Sequence, residues 1–211
     1  MLRFIYPRKC VFCEKILGKD ETDFCHSCRN SGEMFKNSKR NIPFVAHWTA
    51  LWYYKDNVRL SIHRYKFGRR RTHSQVYGRL MAMSLYDSLA KDVDLLCWVP
   101  VHWLRKHKRG YDQSELIARI IGKELSLPVV RGLKKIRNNA EQSGIEGIAQ
   151  RKANVSGVYR VCNTSKILGK RILLIDDVVT TGSTASECAK MLLIAGAKEV
   201  YLAAVAASSQ K

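Results

Sequence analysis

Residues 172–184 read Ile-Leu-Leu-Ile-Asp-Asp-Val-Val-Thr-Thr-Gly-Ser-Thr, and no other stretch of the 211-residue chain restricts its fold so tightly. Ile172 to Ile175 is short, branched and apolar on both faces, the pattern of a strand buried in a parallel sheet. Asp176 and Asp177 follow at its carboxyl end, where open α/β sheets hold their ligands. Val178 to Ser183 then form a loop. Thr184 and Glu187 have capping-box spacing and predict a helix start. A helix start offers unpaired N–H groups and positive dipole, so it favours a phosphate. Thr180, Thr181, Ser183 and Thr184 add hydroxyl donors, and Gly182 lets the backbone come close. The two acids repel phosphate but accept hydrogen bonds from the 2- and 3-hydroxyls of a ribose. Together the parts predict one ribose 5-phosphate site. The bland alternative is an ordinary strand–turn–helix with a polar turn, in which adjacent acids are costly unless something binds them.

The stretch resembles the 5-phosphoribosyl 1-diphosphate (PRPP) motif of type I phosphoribosyltransferases, because strand, acid pair, threonine pair, glycine and helix occur in that order. From Leu95 onward the chain is regular. Apolar strands are predicted at Leu95–Val101, Pro128–Val130, Arg171–Ile175 and Val200–Ala206, with helices at Ser114–Leu125 and Thr184–Ala195. Alternating strands and helices predict an α/β fold, a mostly parallel sheet flanked by helices. Upstream, Phe44 to Tyr54 reads as a strand pair, and Asp56–Tyr65 and Gln75–Ala90 read as helices. His102 to Asp112 reads as a basic loop. Arg137 to Val155 has only scattered apolar residues and predicts a mobile loop or lid.

A second signal lies near the amino end. Cys10-x2-Cys13 and Cys25-x2-Cys28 are separated by eleven residues, and four thiolates so spaced can surround one zinc. Disulfides or unliganded thiols are the alternatives. The opening residues do not read as a signal peptide, so a reducing cytoplasm is expected and structural zinc is preferred. With four cysteine ligands no coordination site stays open. Cys97 and Cys188 read as small core residues. The expected division is a cysteine module over 1–40 and a larger domain over 41–211.

Thirty-seven Lys and Arg against 18 Asp and Glu leave a formal charge of +19, far more than PRPP requires. The surplus points to a larger polyanion, nucleic acid above all, against a merely solvated surface or adsorption to anionic lipid. Arg64, Tyr65, Lys66, Phe67, Arg69, Arg70 and Arg71 interleave bases with aromatics, a composition that suits single-stranded DNA. Equally, such aromatics can anchor a loop to the core. No run approaches the roughly 18 apolar residues of a membrane span.

Taken whole, the chain resembles the ComF family, a zinc-binding amino end joined to a phosphoribosyltransferase domain and linked to natural competence and DNA uptake. The residues that carry the likeness are the four cysteines, Val99-Pro-Val101, Arg109-Gly-Tyr-Asp-Gln113, Arg151-x-x-Asn154 and Asp176 to Thr184. Asp112 departs from the family's usual Asn, and the Gln142 to Asn154 stretch fits loosely. The resemblance implies PRPP bound with magnesium. It places the pyrophosphate on backbone at Val101, His102 and Trp103, with charge contacts from Arg105 and Arg109. Two functions stay open: an enzyme transferring phosphoribose to an unidentified acceptor, and a PRPP-binding adaptor that holds single-stranded DNA and a competence partner.

Overall fold

The structure, a computed structural model, describes residues 7–36, 40–138 and 157–209. Among these, four parallel strands form the main sheet. They are β1 (Trp48–Tyr53), β2 (Leu95–Trp98), β5 (Arg171–Val179) and β6 (Glu199–Ala207), in the order β1-β6-β5-β2. Ile175 on β5 lies opposite Trp98 on one side and Ala203 on the other, so the strand of the acid pair is central. Pro128 to Val130 adds only a bridge to Leu96 at the edge. A separate antiparallel pair joins β3 (Leu133–Lys135) and β4 (Tyr159–Val161). The predicted lid falls between them in the sequence, and its residues 139–155 lie outside the described residues.

Helices cover both faces. On one face lie α1 (Asp56–Phe67), α2 (His73–Tyr86) and α4 (Gln113–Glu124), whose Val58, Ile62, Tyr77, Met81, Ile117 and Ile121 pack with Leu173 and Ile175 of β5. On the other, α6 (Ser183–Ile194) lays Cys188, Ala189 and Leu192 against Ile172 and Leu174. A one-turn α5 (Thr164–Ile167) precedes β5. Both faces of β5 are therefore apolar and buried, as a central parallel strand requires. Cys97 and Cys188 are fully buried, as read from the sequence.

Four expectations need correction. The strand pair over 44–54 is a single strand. Phe44 takes a left-handed φ of 67°, and the antiparallel contact comes instead from Met34 and Phe35 beside β1. The basic loop after β2 contains a short helix, α3 (Trp103–Arg109), capped by the His102 side chain and ended by Gly110. The capping box at Thr184 does not form. The helix starts one residue earlier with Gly182 as N-cap, and Glu187 accepts a bond from the Gly157 N–H at 3.0 Å. Finally, β5 runs through the acids to Val179, which shortens the loop to Thr180–Gly182.

The cysteine module docks on α1, α2 and β1. Phe12 packs on Phe24 at 4.8 Å between ring centres and meets Trp52 of β1 at 5.4 Å. Ser61 of α1 donates to the Val11 carbonyl, and Arg79 of α2 bonds Asp23 at 2.6 Å. Cys10, Cys25 and Cys28 belong to the same buried cluster as Ile62 and Tyr77.

Candidate functional site

The carboxyl end of β5 carries the acid pair, and both residues are buried. Asp176 Oδ1 accepts from Ser114 Oγ at 3.2 Å and from the Asp177 N–H at 2.8 Å. Burial, and then the nearby Asp177, push the Asp176 carboxyl up to about 8. Lys66, near the end of α1, reaches Asp177 with Nζ 2.8 Å from Oδ1. Burial disfavours its charge, but Asp177 and then Asp176 outweigh that and hold the ammonium above its usual value. Among the described residues one cation thus faces two acids: Lys66 balances Asp177, and Asp176 keeps its proton at neutral pH.

The loop beyond is held from behind. Thr181 Oγ1 lies 2.9 Å from Ser183 Oγ and takes a long bond of 3.4 Å from the Ser183 N–H. Arg40 donates to the carbonyls of Thr180 and Ser208. Gly182 has φ of 82°, and a Cβ there would sit 2.9 Å from the Ile42 side chain. Only glycine meets both demands. The loop ends on the amino terminus of the twelve-residue α6, whose first N–H groups have no partner within the helix.

The two basic segments read separately in the sequence come together. Lys66, Phe67 and Arg69 from the end of α1, and Arg105, Lys108 and Arg109 from α3, line one cleft of about 230 Å³. The Arg109 guanidinium lies 4.8 Å over the Phe67 ring and donates to Gln113 Oε1 at 3.1 Å. Lys66 links this cleft to the acid pair.

The rest of the expected DNA segment behaves otherwise. Tyr65 is fully buried and cannot stack on a base, since it lies on the Val58–Ile62–Tyr65 face of α1 and donates to the Gln113 carbonyl at 2.9 Å. Arg64 and Arg70 pair with Glu14 at 3.9 and 2.5 Å, which ties them to the cysteine module. Arg71 lies 5.6 Å over the Tyr111 ring. Phe67, half-exposed at 50%, and Arg69 remain outward.

Of the expected pyrophosphate contacts, Val101 lies in the turn between β2 and α3. Its N–H already donates to Asp112 Oδ2 at 3.0 Å, while Asp112 Oδ1 caps α4 through the Glu115 N–H at 3.2 Å. The carboxylate therefore clamps the start of α4 to the turn after β2. Burial pushes it up to about 6. His102 caps α3 with Nδ1, 3.4 Å from the Leu104 N–H.

The four module cysteines have free thiols with Sγ atoms within 4.8 Å of one another, and Cys13 and Cys25 are 3.6 Å apart. Zinc–sulfur bonds of about 2.3 Å give tetrahedral S···S separations near 3.8 Å, so the donor set fits a metal such as zinc. The turns that present the thiols are tied by Glu14 N–H to Cys10 O at 2.9 Å and by Cys28 N–H to Cys25 O at 2.9 Å. No disulfide joins the four cysteines.

Comparison with known proteins matches residues 88–211 to the phosphoribosyl transferase domain family. The chain belongs to that family. Competence protein F of Haemophilus influenzae is 22% identical across 92% of this chain and 94% of that protein, so the likeness to the ComF family runs nearly end to end. DNA utilization protein YhgH of Escherichia coli K12 is 30% identical over 67% of this chain and 63% of its own length. Among solved structures, glutamine PRPP amidotransferase from B. subtilis shares 24% identity with a TM-score of 0.45, over 64% of this chain and 26% of that one.

For this phosphoribosyltransferase-domain chain, sequence reasoning missed the partners of the acid pair. Ser114 and Lys66 lie 62 and 111 residues away from the acids they touch. Nothing in local spacing marks either. Asn154 and Arg151 lie outside the described residues.

Proposed function

We propose that the chain binds PRPP with magnesium at the carboxyl end of β5 and acts in DNA uptake, holding single-stranded DNA in the cytoplasm beside a competence partner. One observation carries the first half: a buried acid pair with, among the described residues, a single counter-charge stands between a hydroxyl-rich helix start and a basic cleft. Asp176 and Asp177 suit the ribose hydroxyls. Thr180, Thr181, Gly182, Ser183 and Thr184 suit the 5-phosphate, with Arg40 and Ile42 keeping their loop in shape. Arg105 and Arg109 suit the pyrophosphate from the cleft wall.

The Asp176 carboxyl, which can exchange its proton for a cation, fits a ligand that brings a hard divalent ion. Magnesium, when bound, would neutralise charge on the diphosphate. The relatives named for competence and DNA utilization support the second half, as does the +19 charge. Among the described residues no helix is long and apolar enough to cross a membrane. We retain the division into a zinc module over 1–40 and a phosphoribosyltransferase-like domain over 41–211.

Calorimetry with magnesium-PRPP tests the ligand. Asp176→Asn with Asp177→Asn should weaken binding by about 100-fold or more, with circular dichroism and zinc content unchanged. Unaltered affinity would sink the assignment. For DNA, Arg69→Gln with Lys108→Gln should flatten the slope of log K against log salt by about 0.7 for each phosphate that the variant no longer neutralises. A full slope in that variant would leave the cleft without a role in DNA binding.

A further inference from the structure

A second cavity, of about 470 Å³, opens on the opposite side of α3, between β2, α4 and β3. It shares no lining residue with the basic cleft and none with the acid pair or the Thr180–Gly182 loop, although Val101 and Trp103, whose backbone is expected to meet the pyrophosphate of PRPP, also line it. Its size falls within the roughly 300–1,000 Å³ of small-molecule sites. Trp98, at the end of β2, and Trp103, at the start of α3, both line it. Trp98 is buried, while Trp103 is 66% exposed, with only the tilted His102 ring beside it at 5.7 Å among the described residues, an unusual place for an indole.

The charges around these rings decide what the cavity suits. It has two acids, and both are already engaged. Glu115 accepts from Lys106 at 2.9 Å and from Arg119 at 2.9 and 3.1 Å, and Asp112 holds two backbone N–H groups. The Arg119 guanidinium also lies 5.9 Å over the Trp98 ring. Arg131 and Lys134 are exposed on the β3 side, and neither has an acid partner among the described residues. Aromatic wall and unbalanced positive rim stand side by side. A purely aliphatic anion has no use for the indoles, and a neutral ring has none for the cations. A flat base bearing a phosphate uses both.

We propose that this cavity is a nucleotide site on the far side of α3 from the basic cleft, separate from the acid pair and the Thr180–Gly182 loop, in which the base stacks on the Trp103 side chain and the phosphate meets Arg131 and Lys134. The same chemistry is offered by a free mononucleotide and by one unpaired residue of a single strand. Stacking of this kind tolerates any base.

The test is calorimetry on the full chain with deoxyadenosine 5′-monophosphate and, separately, with a short oligodeoxythymidine. Trp103→Ala, and Arg131→Gln with Lys134→Gln, should each weaken binding about tenfold, the lower range for removing one stacked ring. The Asp176→Asn, Asp177→Asn protein, which loses PRPP on the reading above, should bind both probes as before. Binding of both probes supports the site with free nucleotides as a sufficient ligand. Binding of the oligonucleotide alone supports it with the single strand as ligand. The inference is overturned if neither probe binds, if the tryptophan and base variants bind like the parent, or if the acid variant alone removes binding, which would place the nucleotide at the PRPP site.

Discussion

The cysteine module and the carboxyl end of β5 both gather donor atoms for a cation, and they are assembled in opposite ways. The four thiols come from nineteen residues of chain, and each pair sits on one tight turn. Their number and identity fill a tetrahedron and leave nothing to be supplied. The acids on β5 are adjacent in sequence, yet what steadies them is drawn from α1 and α4. They keep one acid, Asp176, for which the described residues supply a proton rather than a counter-charge. A closed set of soft ligands makes a structural centre, whereas an incomplete set of hard ones makes a binding site.

The largest effect should come from opening the closed set. Cys13→Ser should abolish stoichiometric zinc and cost several kcal/mol, given the roughly 10–16 kcal/mol apparent for structural zinc in small domains. Because Cys10, Cys25 and Cys28 share a core with α1 and α2, the loss should lower the single melting transition of the whole chain. Elemental analysis beside calorimetric melting would show it. A variant that keeps its zinc, or a separate small early transition with the main one unmoved, would break the contrast.

Next comes the internal counter-charge. Lys66→Met strips the acid pair of its ammonium, and breaking a buried pair costs about 3–5 kcal/mol when the remaining charge stays. Here the charge can be relieved by a proton. Asp176 has a folded value of about 8, above its ordinary one, so the folded state holds the extra proton. Its contribution to stability is whole below the ordinary carboxyl range and is lost as pH rises through about 8. The variant should therefore be destabilised more at pH 9 than at pH 5, with Lys66→Arg recovering most of the difference. Urea unfolding at the two pH values reads this out. Equal losses at both would mean that Lys66 matters for packing alone.

The smallest effect belongs to the clamp. Asp112→Asn leaves one carbonyl oxygen where two carboxylate oxygens accepted, so one N–H loses its acceptor, at about 1 kcal/mol. Urea unfolding should find that loss, and hydrogen exchange should show the Val101 amide less protected. A neutral or stabilising outcome would mean that the turn after β2 is set by α3 rather than by the carboxylate.

What could be read in the chain follows the same line. The apolar run into β5, the cysteine turns and the amphipathic α4 are local patterns, and each appears where its spacing puts it. The helix α3 buries none of its residues, so no apolar stripe could announce it among Arg105 to Arg109. Tyr65 sits in a basic run that looks outward as composition, yet its place three residues after Ile62 turns it into the core. The clamp by Asp112, the ion pair of Lys66 and the wedge of Ile42 behind Gly182 are all tertiary facts. A one-dimensional reading sees such residues but not what they face.

The pairing of β1 bears on how the chain is made. Its neighbour in the sheet is β6, close to the other end of the sequence, and among the described residues no other strand of that sheet touches it. On a ribosome the cysteine turns emerge before β1, and all four thiols are present by Cys28. Trp48 to Tyr53 must then wait for the 145 residues that separate it from Glu199 before its ladder can form. During that interval one edge of the nascent sheet has no partner, and a metal-bound module beside it would be the first piece of native surface to shield it from aggregation.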